Sequence, residues 1–207
     1  MKEKMKEICL KALEVFPVLK EFYEKVNKEE RLPYPKDIED VNKYNFIKLY
    51  RETYNAEILK KFLNVVMQAN CELYKRGYVW RLVVHQCLRT LEEQADLWLK
   101  GRYESGNVVT WVIPGESLHN YGCAVDLVFW LDNFSWDERH PWEVISKSAT
   151  KYGCNIVEGD KPHFEYRLEE ILKLRKEVAR FIAKEMKNVG LDPFLKRKTI
   201  PEYLKGI

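Results

Sequence analysis

His119 and Asp126 lie seven residues apart in the run Glu116-Ser117-Leu118-His119-Asn120-Tyr121-Gly122-Cys123-Ala124-Val125-Asp126. An imidazole and a carboxylate are both ligands for a borderline metal such as zinc. Gly122 suits a sharp backbone turn, and Ala124–Phe129 reads as a strand. His119 is therefore expected on a loop and Asp126 on the strand that follows, both facing one cavity. A catalytic zinc site takes three protein ligands and keeps a position open for water, and His163 in Asp160-Lys161-Pro162-His163 offers the third. Pro162 keeps Lys161 extended, so Asp160 and His163 can converge from one bend. A carboxylate beside a metal, but not ligating it, suits general-base work on the attacking water. Arg89 follows a strand-like stretch and precedes a helix, which makes it the candidate cation for the oxyanion that develops.

The elements that must position these groups are legible from periodicity. Apolar residues at spacings of three and four predict helix over residues 1 to about 27, interrupted by Pro17, and over about 37–53 and 56–76, with Gly77 ending the last. Arg31–Pro35, with two prolines, is expected to be a loop. Tyr78–Cys87 reads as a strand. Thr90 and Glu93 form a capping-box pattern for a helix reaching to Gly101. Val108–Val112 is strand-like, Pro114-Gly115 is a turn, and Trp130–Arg139 is an acidic, aromatic loop. Pro141 suits the start of a helix that stops near Gly153. Two short strands, 155–157 and 163–166, are expected to pair as a hairpin, followed by a long helix from Leu168 to about Lys187. The order predicts an α+β fold: a small antiparallel sheet with flanking helices, an N-terminal helical extension over 1–54, a main domain over 55–190 that carries the candidate site and a long C-terminal helix, and a tail over 191–207.

Of 207 residues, 46% are hydrophobic, enough for a real core, and the net charge of +3 argues against nucleic acid as a partner. Lys196-Arg197-Lys198 is the one tight basic cluster and reads as a solvated tail. The five cysteines are odd in number and lack zinc-knuckle or redox spacing, so they are expected to be reduced and mostly buried, Cys9 and Cys71 within helical apolar patterns. The N-terminus lacks the apolar run of a signal peptide, and no stretch approaches a membrane span. Cytoplasmic synthesis without membrane association is the expectation.

Val109-Thr110 to Asp126, with Pro114-Gly115, Ser117, His119-Asn120-Tyr121-Gly122, Ala124 and Asp126, resembles the central motif of the D-alanyl-D-alanine carboxypeptidase and L-alanyl-D-glutamate endopeptidase family. These are zinc peptidases of bacterial walls and phage endolysins, in a superfamily that includes lysostaphin-like enzymes and the hedgehog signalling domain. Arg89-Thr90 with Glu92-Glu93-Gln94 and Leu97 resembles the family's arginine motif, and Asp160-Lys161-Pro162-His163-Phe164-Glu165 its closing motif. The resemblance covers roughly residues 78–167 in three blocks. It implies Zn2+ as cofactor, His119, Asp126 and His163 as ligands, Asp160 as base and Arg89 as the substrate-holding cation. Ser117 matches a polar position beside the site, and Gln86 and Tyr121 are taken as further candidates for substrate contact. Peptidoglycan is the implied substrate, reached after release into the wall with a partner holin acting upstream.

Three readings stay open at this stage. One is an endolysin-type L-alanyl-D-glutamate endopeptidase. The second is a D-alanyl-D-alanine carboxypeptidase or dipeptidase. The third is a zinc-bearing wall-binding or virion module without turnover. The chain departs from endolysin members in having Gln86-Cys87-Leu88 before the arginine and a short Cys154–Gly159 segment ahead of the closing motif. His85 is expected at a core or edge position and His140 at the surface. A thiol mechanism through Cys123 is disfavoured, since Cys123 should alternate toward the packed side of its strand. Trp111, Trp130, Phe134, Trp136 and Trp142 are candidates for a glycan-binding surface, with core packing explaining Trp142 at least as well.

Overall fold

A computed structural model of the chain describes residues 1–27 and 32–207; Arg31, the first residue of the loop expected over 31–35, lies outside them. Pro17 divides the first helical region into α1 (Lys2–Val15) and α2 (Pro17–Asn27), because proline lacks the N–H a continuing helix needs but suits a first helical turn. Then come α3 (Val41–Glu52) and α4 (Ala56–Lys75). Asn55 caps α4 by accepting from the Ile58 amide, and Ile58, Phe62, Val65, Val66, Ala69 and Leu73 form its buried stripe. Strand β1 (Arg81–Gln86) precedes α5 (Leu91–Leu99), where both bonds of the Thr90–Glu93 capping box are made. The rest is a 3-10 turn at Leu118–Tyr121, β2 (Ala124–Trp130), β3 (Phe134–Ser135), α6 (Glu143–Lys151), β4 (Asn155–Ile156), β5 (His163–Glu165), α7 (Glu169–Asn188) and a second 3-10 turn at Glu202–Leu204. The strands make one antiparallel sheet in the order β1-β2-β5-β4, with β3 paired to β2. The fold is α+β.

The chain divides into two compact units. One, which holds none of the sheet's strands, comprises Met1–Lys25, Arg89–Tyr121 and Leu168–Ile207. Within it α1 packs on α5 and α7. The other, Val26–Leu88 and Gly122–Arg167, holds the whole sheet with α3, α4 and α6. Alternation along β2 gives its two faces different work. Val125, Leu127 and Phe129 look toward α4 and α6: Phe129 meets Trp142, and Phe164, the partner of Val125, meets Phe62 edge-on at 5.2 Å. On the other face, Val128 and Trp130 join Val83, Val41 and Tyr44 in an apolar cluster, while Asp126 on the same face is left polar.

Several expectations need correction. Val108–Val112 forms no strand. Its carbonyls are taken by side chains instead: Arg102 donates to Thr110 and Gln94 to Val112. The acidic loop after Trp130 contains β3. Cys71 is exposed, although Cys9, Cys87, Cys123 and Cys154 are buried and all five are free. His140 is half-buried, stacked on Phe129 at 4.2 Å, with its ring nitrogens bonded to Tyr78 and Ser135. The aromatics divide: Trp130 and Trp142 are buried, while Trp111, Phe134 and Trp136 are exposed, and His85 lies edge-on to the last two of these. The basic cluster Lys196-Arg197-Lys198 is solvated only in part: both lysines are exposed, but the Arg197 side chain is almost fully buried in an ion pair. Leu191 and Leu204 are buried with it.

Candidate metal centre

Asp126 and His163 are a directly opposed pair in the β2–β5 ladder, so their side chains stand on one face. Nδ1 of His163 lies 2.9 Å from Oδ1 of Asp126. Glu165 is two residues on from His163, and a strand's period of two returns it to the same face. It is opposed by Ala124, whose small side chain leaves it space. One Glu165 oxygen lies 3.4 Å from Nε2 of His163, and the other accepts from Arg167 at 2.6 Å. The ring of His163 is thereby held from both nitrogens. A proton on Nε2 directed at Glu165 leaves the Nδ1 lone pair on the Asp126 side, the arrangement that outer carboxylates give to metal-bound imidazoles. Burial alone would push the His163 pKa down; the carboxylates of Asp126 and Glu165, with Asp160 nearby, outweigh it and raise the group from 6.5 to about 9. Burial would raise Glu165, but His163 and Arg167 hold it low.

Gln86 is the cross-strand partner of Asp126 on the β1 side, past an irregularity that displaces His85. It is half-buried. The bend carrying Asp160 is closed by the His163 amide donating to the Asp160 carbonyl and the Asp160 amide donating to Val157. Asp160 is exposed, and with His163 it lines a cavity of about 500 Å³ walled also by Trp142, His140 and Glu138.

His119 sits in the 3-10 turn and is buried. Its amide donates to Ser117 Oγ, which is the place the structure gives that serine. Gly122, at φ +60°, reverses the chain between this turn and β2. The His119 carbonyl accepts from the Arg89 amide, and Asn120 Nδ2 donates to the Arg89 carbonyl, so the two segments are stitched together. The Arg89 guanidinium donates to Gln94 Oε1, and Gln94 is itself fixed by Thr110 and Val112. Tyr121 is fully buried and donates to the Gly115 carbonyl. It holds the turn together and has no exposed surface for a substrate.

One ligand atom from each of His119, Asp126 and His163 lies within 4.8 Å of the other two. Two imidazoles and a carboxylate are a zinc donor set. Glu165 and Gln94 are not among the candidates the sequence singles out. Glu165 had a signal in its spacing, since it follows a candidate ligand by two on a strand. Gln94 lies within the arginine motif, but only the fold shows that it holds Arg89. Cys87 is fully buried and hydrogen-bonded to the Glu52 carbonyl, and burial drives its thiol pKa far up, which suits no nucleophile.

Comparison with known proteins gives a partial likeness. No family model matches the chain. Over 69 residues it is 36% identical to the peptidoglycan L-alanyl-D-glutamate endopeptidase CwlK of Bacillus subtilis (strain 168). That match covers 32% of this chain and 41% of CwlK, so the chain spans about two fifths of the length of the curated relative it matches.

Proposed function

We propose that this chain is a zinc-dependent peptidase that hydrolyses the L-alanyl-D-glutamate bond of the peptidoglycan stem peptide. The observation that carries the reading is the convergence of His119, Asp126 and His163, and the partial likeness to CwlK supports the substrate class. The ligands are His119, Asp126 and His163. Zinc held there supplies Lewis-acid polarisation of the scissile carbonyl and a lowered pKa for water. Asp160, on its exposed bend, takes the proton from the attacking water and returns it to the leaving amine. Arg89, oriented by Gln94, neutralises the developing oxyanion. Glu165 fixes the His163 ring so that Nδ1 is the donating atom. Gln86 and Ser117 contact the substrate. Trp142 and His140 wall the cavity beside Asp160 and give the peptide an apolar side to rest on.

The test is mass spectrometry of purified sacculi digested with and without a chelator. New termini at L-alanine and D-glutamate are expected, lost on chelation, restored by zinc and absent from His163→Ala. Undiminished cleavage after metal removal would sink the reading. Release of D-alanine alone would assign the chain to the carboxypeptidases.

A further inference from the structure

Glu116 is the most deeply buried carboxylate beside the His119 turn, with 1% of its side chain exposed. Arg197, 81 residues away near the C-terminus, meets it with two parallel bonds of 2.6 and 2.7 Å and is itself only 9% exposed. Tyr203 adds a third bond to Oε1 at 3.2 Å, and the Ile113 amide a fourth to Oε2. The main chain at the same residue is gripped from α7, where Arg175 donates to the Glu116 carbonyl at 2.6 Å. The carboxylate therefore has most of its acceptor sites filled, and three of the four groups that donate to residue 116 come from beyond residue 170. From Glu116 the restraint passes directly to the ligand. Ser117 accepts from the His119 amide, the Asn120 amide donates back to the Ser117 carbonyl, and Asn120 Oδ1 accepts from Gly115.

We infer that the C-terminal segment 191–207 is a clamp on the metal-ligand turn, with Arg197 and Tyr203 acting through Glu116 as positioning residues for His119 and Arg89. The inference rests on the zinc reading above for its functional meaning, but the clamp itself is a property of this helical unit. A planar guanidinium matches both carboxylate oxygens at once, and an ammonium does not. Arg197→Lys is therefore expected to lose part of the restraint while keeping the charge. Arg197→Met leaves Glu116 buried without its partner. The pair Glu116→Gln with Arg197→Met removes the buried charge and the clamp together, which separates lost positioning from the penalty of an uncompensated ion.

The experiment is hydrogen exchange of the 113–121 segment, read beside exchange of β2 and β5 and beside zinc affinity by chelator competition. In Arg197→Met, loop exchange is expected to rise and zinc affinity to fall by about tenfold or more, with sheet protection kept. Arg197→Lys should fall between wild type and Arg197→Met, and the double variant should keep the open loop while regaining thermal stability. Unchanged loop exchange and zinc affinity in Arg197→Met overturns the clamp. So does a double variant whose loop closes again. A wild-type chain that binds no zinc, with a loop that still opens in Arg197→Met, overturns the metal assignment and supports the clamp as a restraint on the turn.

Discussion

His163 and His119 reach their positions by different construction. His163 is set by a main-chain ladder: Asp126 opposite it, Leu127 donating to Pro162, and Glu165 one strand period away. Its partners lie within a few residues of β2 and β5. His119 sits on a turn with no ladder, and side chains from elsewhere fix it, namely Asn120 to Arg89 and Thr90, Tyr23 to Asn120, and Arg197, Tyr203 and Arg175 to Glu116. A ladder repeats one short-range bond and tolerates loss of a single side chain. A turn held by single distant side chains does not, because each bond is a separate constraint that folding must close over a long loop.

Changes to the chemistry itself should have the largest effect and leave both constructions intact. Asp160→Asn is expected to slow hydrolysis about 10²–10⁴-fold with zinc content unchanged, measured as initial rates of fragment release. Loss of metal along with activity would assign Asp160 to the ligand set instead. The loop is tested next by Gly115→Ala. Gly115 has φ +78°, and an added Cβ would come 2.6 Å from Val178 Cγ1 of α7. Strain and overpacking together are expected to cost about 2–3 kcal/mol in urea unfolding. Zinc affinity should fall too, while β2–β5 exchange is unchanged.

The ladder side is tested by Glu165→Gln. It keeps the shape but weakens the hold on Nε2, so metal affinity is expected to drop about 10–100-fold by competition titration. A smaller change than that for Gly115→Ala would show that the ladder alone suffices to place His163. Thr90→Ala should cost about 1 kcal/mol of thermal stability by removing the cap of α5.

A pH series probes the His163 side by itself. The folded, chelator-treated chain holds a proton on His163 that the unfolded chain releases at its ordinary value of 6.5. Stability from this group is therefore full below pH about 6.5 and lost as pH rises through about 9. Melting temperature should decline across that window, and His163→Gln should flatten the decline. If His163 is a ligand as proposed, zinc has to displace this proton, so its affinity is expected to rise over the same range.

Local signals carried much of this into the sequence. A short apolar run after a glycine marks β2, period-three-to-four patterns mark α4 and α7, the Thr90–Glu93 box marks the start of α5, and the glycine between His119 and Asp126 marks a reversal. The misread segments are those where a partner outranked propensity. Val108–Val112 has strand composition but no adjacent strand, so Arg102 and Gln94 take its carbonyls. The neighbouring Pro141 points His140 to the surface, but an aromatic stack with Phe129 draws it in.

The sequence by itself determined which atoms are available for chemistry: two imidazoles, the Asp126 and Asp160 carboxylates and Arg89, each in a segment whose local pattern states its conformation. Only the tertiary structure decided which groups hold them. Glu165 needs Ala124 opposite it, Arg89 needs Gln94, and Glu116 needs Arg197 from 81 positions away. Those pairings are made by burial and by the cost of leaving a buried charge or amide unpaired. That cost depends on what the folded chain brings alongside, and no spacing along the sequence records it.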